Sequence, residues 1–333
     1  MRVEAKYYSA IDGTIHCQLC PNNCHLTEAM TGPCRTRKVI DGRFYTQSFG
    51  NPCSIHTDPI EKKPLYHFHP GSNTFSIGVA GCLLHCKNCQ NHTISQTFPN
   101  DMPLFSYTPD IMINECIKRG CHSISYTYTE PFAFFEYTLE IAKLAKKSGL
   151  RNILVSSAYV NEEPLKELLP FIDAANIDLK CFSDSVYKKL CKGSLEPILR
   201  NLKIIRESGV WLEITNLLIF DWTDDLDMIE LMCGWLATNG FEKVPLHFSR
   251  FYPMFEMENV PSTPIATLEN AANIAKQAGL LYVYCDNIEK PNNTYCPNCQ
   301  NLLIQRLGFD ISVNIAFKSR CPKCDYLIDG VFE

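Results

Sequence analysis

Gly81-Cys82-Leu83-Leu84-His85-Cys86-Lys87-Asn88-Cys89-Gln90-Asn91 holds three cysteines in the pattern C-x-x-x-C-x-x-C. It directly follows an apolar run, Phe75 to Ala80. Three thiolates this close fit a loop folded round one metal centre. A 4Fe–4S cluster normally takes four cysteines, one per iron, so three leave one iron open to a ligand that is not protein. A structural zinc site closes its fourth position with a side chain. The spacing alone also admits a zinc knuckle, or three unrelated thiols in a cysteine-rich chain.

Outward from this loop the chain alternates. Apolar periodicity predicts strands over 74–79, 123–128, 152–157, 174–179, 210–219, 244–248 and 281–284. It predicts helices over 133–147, 163–169, near 183–190, and over 197–208, 226–238 and 265–277. Gly149, Gly209, Gly240 and Gly279 stand where helices should stop. Strands alternating with helices of this length imply an α/β protein with a parallel sheet. About six βα units make a partial parallel (β/α)6-type barrel, whose chemistry gathers at the C-terminal ends of the strands. The expected domains are a cysteine-rich metal-binding segment and linker over 1–73, the barrel over 74–286, and a metal ribbon over 287–333.

Composition sets the frame. The 333 residues are 46% hydrophobic and 20% charged, as in an ordinary globular protein. A net charge of −5 and the lack of a basic run argue against a nucleic-acid partner. No apolar stretch has transmembrane length, and Met1 to Lys6 lacks the apolar core of a secretory signal, so the expected location is cytoplasmic.

The chain has 18 cysteines. A disulfide framework suits a short secreted chain, which this is not. Spaced groups argue for metal ligation in a reducing compartment. Besides the central loop, Cys17, Cys20, Cys24 and Cys34 form a second group, able to close a zinc site or hold a second iron–sulfur cluster. Cys296, Cys299, Cys321 and Cys324 form a C-x-x-C pair repeated across a short spacer, as in zinc ribbons and rubredoxins. It would bind zinc or a mononuclear iron, and 311–317 alternates as a hairpin strand should. The remaining seven cysteines read as small buried hydrophobes. Residues 36–74 read as polar and turn-rich, with His67 and His69 as loop residues or as walls of the cluster pocket.

Polar residues recur where the strands run out: Glu130 after Tyr126-Thr127-Tyr128-Thr129, Ser156-Ser157, Asp178-Leu179-Lys180, Glu213, and His247. Each alone fits a helix cap or a solvated loop charge. The chain resembles the radical S-adenosylmethionine (SAM) superfamily, in its pyruvate formate-lyase activating enzyme branch. It is most similar to the AmmeMemoRadiSam-system radical SAM enzymes. The carrying segments are CQLCPNNC, DPIEKKPLYHFHPGS, CLLHCKNCQNHTISQ, YTYTEP, IDLK, EITNLLI, HFSRFYP, and YCPNCQ with RCPKCD.

The resemblance implies that Cys82, Cys86 and Cys89 ligate a 4Fe–4S cluster whose open iron is chelated by SAM. It implies that Glu130 accepts from the SAM ammonium and that Asn91, Ser157, Asp178, Lys180 and His247 are further cofactor contacts. Asn88 stands where the family usually has an aromatic residue, and Ser156-Ser157-Ala158 where it has Thr-Asn-Gly. The implied function is reductive cleavage of SAM to a 5′-deoxyadenosyl radical for hydrogen abstraction from a substrate, small molecule or protein. A reductase or a flavodoxin- or ferredoxin-type protein would donate the electron. Two other readings stay open: an activase that makes a glycyl radical on a partner enzyme, and a non-catalytic zinc-binding interaction protein.

Overall fold

The computed structural model describes residues 2–314 and 319–332. The chain forms two compact units. One comprises residues 1–58, 74–175 and 188–210; the other comprises 59–73, 176–187 and 211–333.

The first unit opens with antiparallel ribbons. Tyr8–Ile11 pairs with Thr14–Cys17, and Arg37–Ile40 pairs with Arg43–Thr46. Both hairpins turn on an Asp-Gly pair with positive φ at each position: 48° and 75° at Asp12-Gly13, 52° and 71° at Asp41-Gly42. That is the two-residue type I′ turn, whose twist suits the flanking strands. The polar, turn-rich reading of 36–74 is therefore corrected, because Arg37–Ile40, Arg43–Thr46 and Pro52–Pro59 are strands. Along the first two, Arg37, Val39, Phe44 and Thr46 are buried and their neighbours are not. Such a half-buried ribbon reads as polar by composition.

The main sheet of this unit runs Pro52–Pro59, Asn73–Val79, Ser123–Tyr126, Arg151–Ser156, with the last three strands parallel. Ile77, Tyr126 and Leu154 stand in one row across those three and are fully buried. The Tyr126 hydroxyl donates to Asn152 Oδ1 at 2.9 Å, and Asn152 Nδ2 donates to the carbonyls of Ala142 and Phe171 at 2.9 Å each. This closes the polar groups in an otherwise apolar layer. The helix Phe135–Lys147 ends as its sequence requires: Gly149 N returns to Lys146 O and Leu150 N to Ala145 O. A helix that periodicity did not mark, Pro109–Lys118, has proline in its first turn and buries Met112, Ile113 and Cys116.

In the second unit Trp211–Leu218, Leu246–Arg250 and Val283–Asp286 pair in parallel, separated in sequence by the helices Leu226–Thr238 and Ile265–Gln277. Three short antiparallel strands follow: Thr294–Tyr295, Leu302–Leu307 and Asp310–Asn314. Tyr66, Tyr282, Tyr284, Leu303, Ile304 and Ile328 form a core with Cys296 and Cys321. Of the expected strand 311–317, residues 315–317 lie outside the described residues. The strands and helices expected between 123 and 286 are all present, with ends displaced by at most two residues.

Candidate functional site

Asn73–Val79 delivers Ala80-Gly81 and then the three-cysteine loop. Gly81 has φ +96°, and a Cβ there would stand 2.6 Å from the carbonyl oxygen of Cys34 and 2.5 Å from Thr36 Cγ2. Only glycine fits so close an approach. Backbone bonds fix the loop: Gly81 N to Ile94 O at 2.9 Å, His85 N to Cys191 O at 2.9 Å, Lys87 N to Leu190 O at 3.0 Å. Ser95 Oγ lies 3.1 Å from Cys89 Sγ. No disulfide joins any described cysteine.

Burial pushes the Cys82 thiol well up, and the Glu130 carboxylate and the sulfurs of Cys86 and Cys89 push it further. Bound cations reverse that penalty by taking thiolates as ligands. Asn88 Oδ1, in the same loop, is buried with no hydrogen-bond partner among the described residues. Crowded thiols and an orphaned acceptor fit a cationic cluster carrying a polar ligand.

Glu130 follows the strand Ser123–Tyr126 and is buried, 2% exposed. Its Oε1 accepts from the Ser156 hydroxyl at 2.6 Å and from Phe132 N at 3.4 Å. Its Oε2 accepts from the Ser157 hydroxyl at 2.6 Å and from Ser157 N at 3.0 Å. Burial raises its pKa and the serine bonds oppose the rise. Glu130 is thus both a cap for the turn Pro131–Phe134 and a carboxylate held in a fixed pose. Ser157, expected as a cofactor contact, is brought to Glu130. Ser156, whose side chain the sequence reading did not single out, is brought there too. Asn91 Nδ2 donates to Tyr128 O at 2.6 Å, which ties the loop's end to the strand end that carries Glu130.

In the second unit, Lys180 Nζ and Asp178 Oδ2 form an ion pair at 2.9 Å, at the end of the strand Ala174–Asp178. His247 is fully buried. Its Nε2 lies 2.8 Å from Glu213 Oε2 and its Nδ1 3.0 Å from Asp286 Oδ2, so both ring nitrogens are engaged within the protein. His67, read from the sequence as a loop residue or a wall of the cluster pocket, is buried as well, with Tyr284 Oη at 2.6 Å and Asp329 O at 2.7 Å from its ring nitrogens.

The C-terminal cysteines form two matching knuckles. Cys296 N donates to Asn301 O and Gln300 N to Cys296 O; Cys321 N donates to Tyr326 O and Asp325 N to Cys321 O. Their four sulfurs lie within 4.8 Å of one another and can hold one metal ion. In the first unit Cys17, Cys20, Cys24 and Cys34 line a single cavity.

Residues 76–232 match the family model of the radical SAM superfamily. The chain belongs to this superfamily. It is a radical SAM enzyme, and its family implies a 4Fe–4S cluster, SAM and a source of electrons. An uncharacterized protein of Methanocaldococcus jannaschii is 40% identical over 98% of this chain and 99% of its own length. The (2S)-3-sulfopropanediol dehydratase activating enzyme of Klebsiella oxytoca is 27% identical over 26% of this chain and 27% of its own. Among solved structures, Streptococcus suis SuiB bound to precursor peptide SuiA covers 72% of this chain and 55% of its own, with a TM-score of 0.51 at 11% identity. That likeness is one of fold alone. No described helix of this radical SAM enzyme is long and apolar enough to cross a membrane.

Proposed function

We propose that Cys82, Cys86 and Cys89 hold a three-cysteine 4Fe–4S cluster, and that the enzyme uses SAM bound there to abstract hydrogen from a substrate. The observation that carries this reading is the buried carboxylate of Glu130, fixed by Ser156 and Ser157 at the strand end to which Asn91 ties the three-cysteine loop. When reduced and bound to SAM, the cluster supplies the electron that splits the sulfonium to methionine and a 5′-deoxyadenosyl radical. The protein's part is positional. Ser156 and Ser157 aim Glu130, which would accept from the SAM ammonium through a charge-assisted bond. Asn88 Oδ1 would take a hydrogen bond from the adenine amine, where an aromatic side chain would instead offer its face. Asp178 and Lys180 remain cofactor contacts by resemblance.

The substrate reading we favour is direct chemistry on a small molecule or macromolecule, because the additional cysteine sites exceed what the simplest activases need. The local likeness to an activating enzyme supports the second reading, a glycyl radical on a partner protein. Zinc is the proposed ion of the C-terminal knuckles, with mononuclear iron as the alternative. The test is anaerobic reconstitution with iron and sulfide, followed by dithionite and SAM. Release of 5′-deoxyadenosine by the wild type and its loss in Cys86→Ala supports the proposal. Intact SAM beside a fully loaded, reduced cluster would sink it. Deuterium passing into 5′-deoxyadenosine from a labelled candidate separates the two substrate readings.

A further inference from the structure

The cysteines at the two ends of the chain differ in how they are spaced. At the C-terminal site, Cys296 and Cys324 stand 3.6 Å apart at sulfur, and so do Cys299 and Cys321. A regular tetrahedron of that edge has its centre about 2.2 Å from each corner, close to a zinc–sulfur bond of about 2.3 Å. Cys17, Cys20, Cys24 and Cys34 instead line one cavity without closing on a common point: among the described residues, only the C-terminal four bring three or more such ligand atoms all within 4.8 Å of one another. Bonds of about 2.3 Å to one zinc ion need sulfurs about 3.8 Å apart, whereas a cube of iron and sulfide presents a separate iron to each of four more widely spread thiolates.

The walls suit such a guest. Leu19, Leu26, Phe44 and Leu83 line the cavity with apolar surface, and all four are buried. Arg37 also lines it, is 1% exposed, and places Nη1 3.9 Å from Cys17 Sγ. Its Nη2 pairs with Glu136, and its Nε has no hydrogen-bond partner among the described residues. Thr36 Oγ1 donates to Cys34 Sγ at 3.3 Å. Buried donors around cysteine sulfurs are the means by which proteins stabilise and tune iron–sulfur centres.

We infer that Cys17, Cys20, Cys24 and Cys34 hold a second, polynuclear iron–sulfur cluster with four protein ligands, in a pocket that shares a wall with the three-cysteine loop. Leu83 is that wall: it lines the cavity, and its carbonyl accepts from Asn22 Nδ2 at 3.1 Å. The inference is independent of the substrate and of SAM cleavage.

Acid-labile sulfide tests it, since zinc and mononuclear iron bring none. Full-length wild type, reconstituted anaerobically, should carry more than the ~4 sulfides of one 4Fe–4S cluster, and ~8 if both clusters are of that type. Cys82→Ser/Cys86→Ser/Cys89→Ser should stay brown and show the Mössbauer spectrum of one cluster. Adding Cys20→Ser and Cys34→Ser should remove it. Wild type with only ~4 sulfides and zinc filling the N-terminal site overturns the inference, as does a folded, sulfide-free triple variant. If the triple variant does not fold, the wild-type sulfide count decides.

Discussion

The Glu213 carboxylate stands 2.8 Å from Nε2 of His247, with neither side chain reached by solvent. Asp286 holds the other ring nitrogen at 3.0 Å. Burial alone would lower the imidazole pKa, but Asp286 and Glu213 outweigh it and raise the value to about 9. A folded-state value above the ordinary 6.5 means that the stabilisation is complete below about pH 6.5 and is lost as pH rises through about 9. The urea midpoint should therefore fall across that window, by the equivalent of roughly 2–3 kcal/mol. His67, whose value burial lowers to about 4, titrates below it. His247→Gln should unfold at lower urea at pH 6.5 and lose the alkaline slope. A wild-type midpoint flat from pH 6.5 to 9 would contradict the assignment.

Glu130→Gln keeps the shape and removes the charge. Loss of one charge-assisted bond is worth about 1.5–3 kcal/mol, so SAM affinity should drop by roughly 10–100-fold. Calorimetric titration of the reconstituted protein would show it. Ser157→Ala removes the hydroxyl that donates to Oε2 and keeps the backbone N–H that also donates there, and it should weaken SAM several-fold while iron and sulfide content hold steady. An unaltered affinity in Glu130→Gln would remove Glu130 from the cofactor site.

At the C-terminal site, Cys299→Ser should cost the protein one metal ion per chain, read by elemental analysis. Cys296 and Cys321 are part of the aromatic core beneath, so loss of the ion should loosen it. Limited proteolysis should then cut beyond residue 290 while leaving the loop at Cys82 protected. Full metal content in that variant would argue against a four-sulfur site.

Arg306 is fully buried, donating to Tyr66 O at 2.6 Å and to Thr294 Oγ1 at 2.7 Å, with Glu61 Oε1 at 3.8 Å. Arg306→Met leaves the Glu61 carboxylate without its cation. The expected cost is about 3–5 kcal/mol, read as a drop in urea midpoint. Glu61→Gln added to it should restore part of the loss.

Much of the fold was legible because its signals are local. Glycines close helices within one turn, and alternation marks buried strands. The ribbons near the N-terminus were missed although Asp12-Gly13 and Asp41-Gly42 announce them, since four-residue strands with one wet face look like loop. At the site, the cysteine spacing stands in the sequence itself, while Glu130 by itself reads as a strand-end charge and takes a role only through the resemblance. The partners that shape it could not: Arg37 and Glu136 meet across 99 residues of sequence, and Ser156 reaches Glu130 across 26. Nor did any local pattern show that both nitrogens of His247 are taken by acids.

The close approach at Gly81 makes the first forty residues something other than an appendage. The carbonyl of Cys34 is the backstop against which the strand's last turn is set. A chain trimmed of that segment would keep every cysteine of the central loop and lose the surface that tells the loop where to begin.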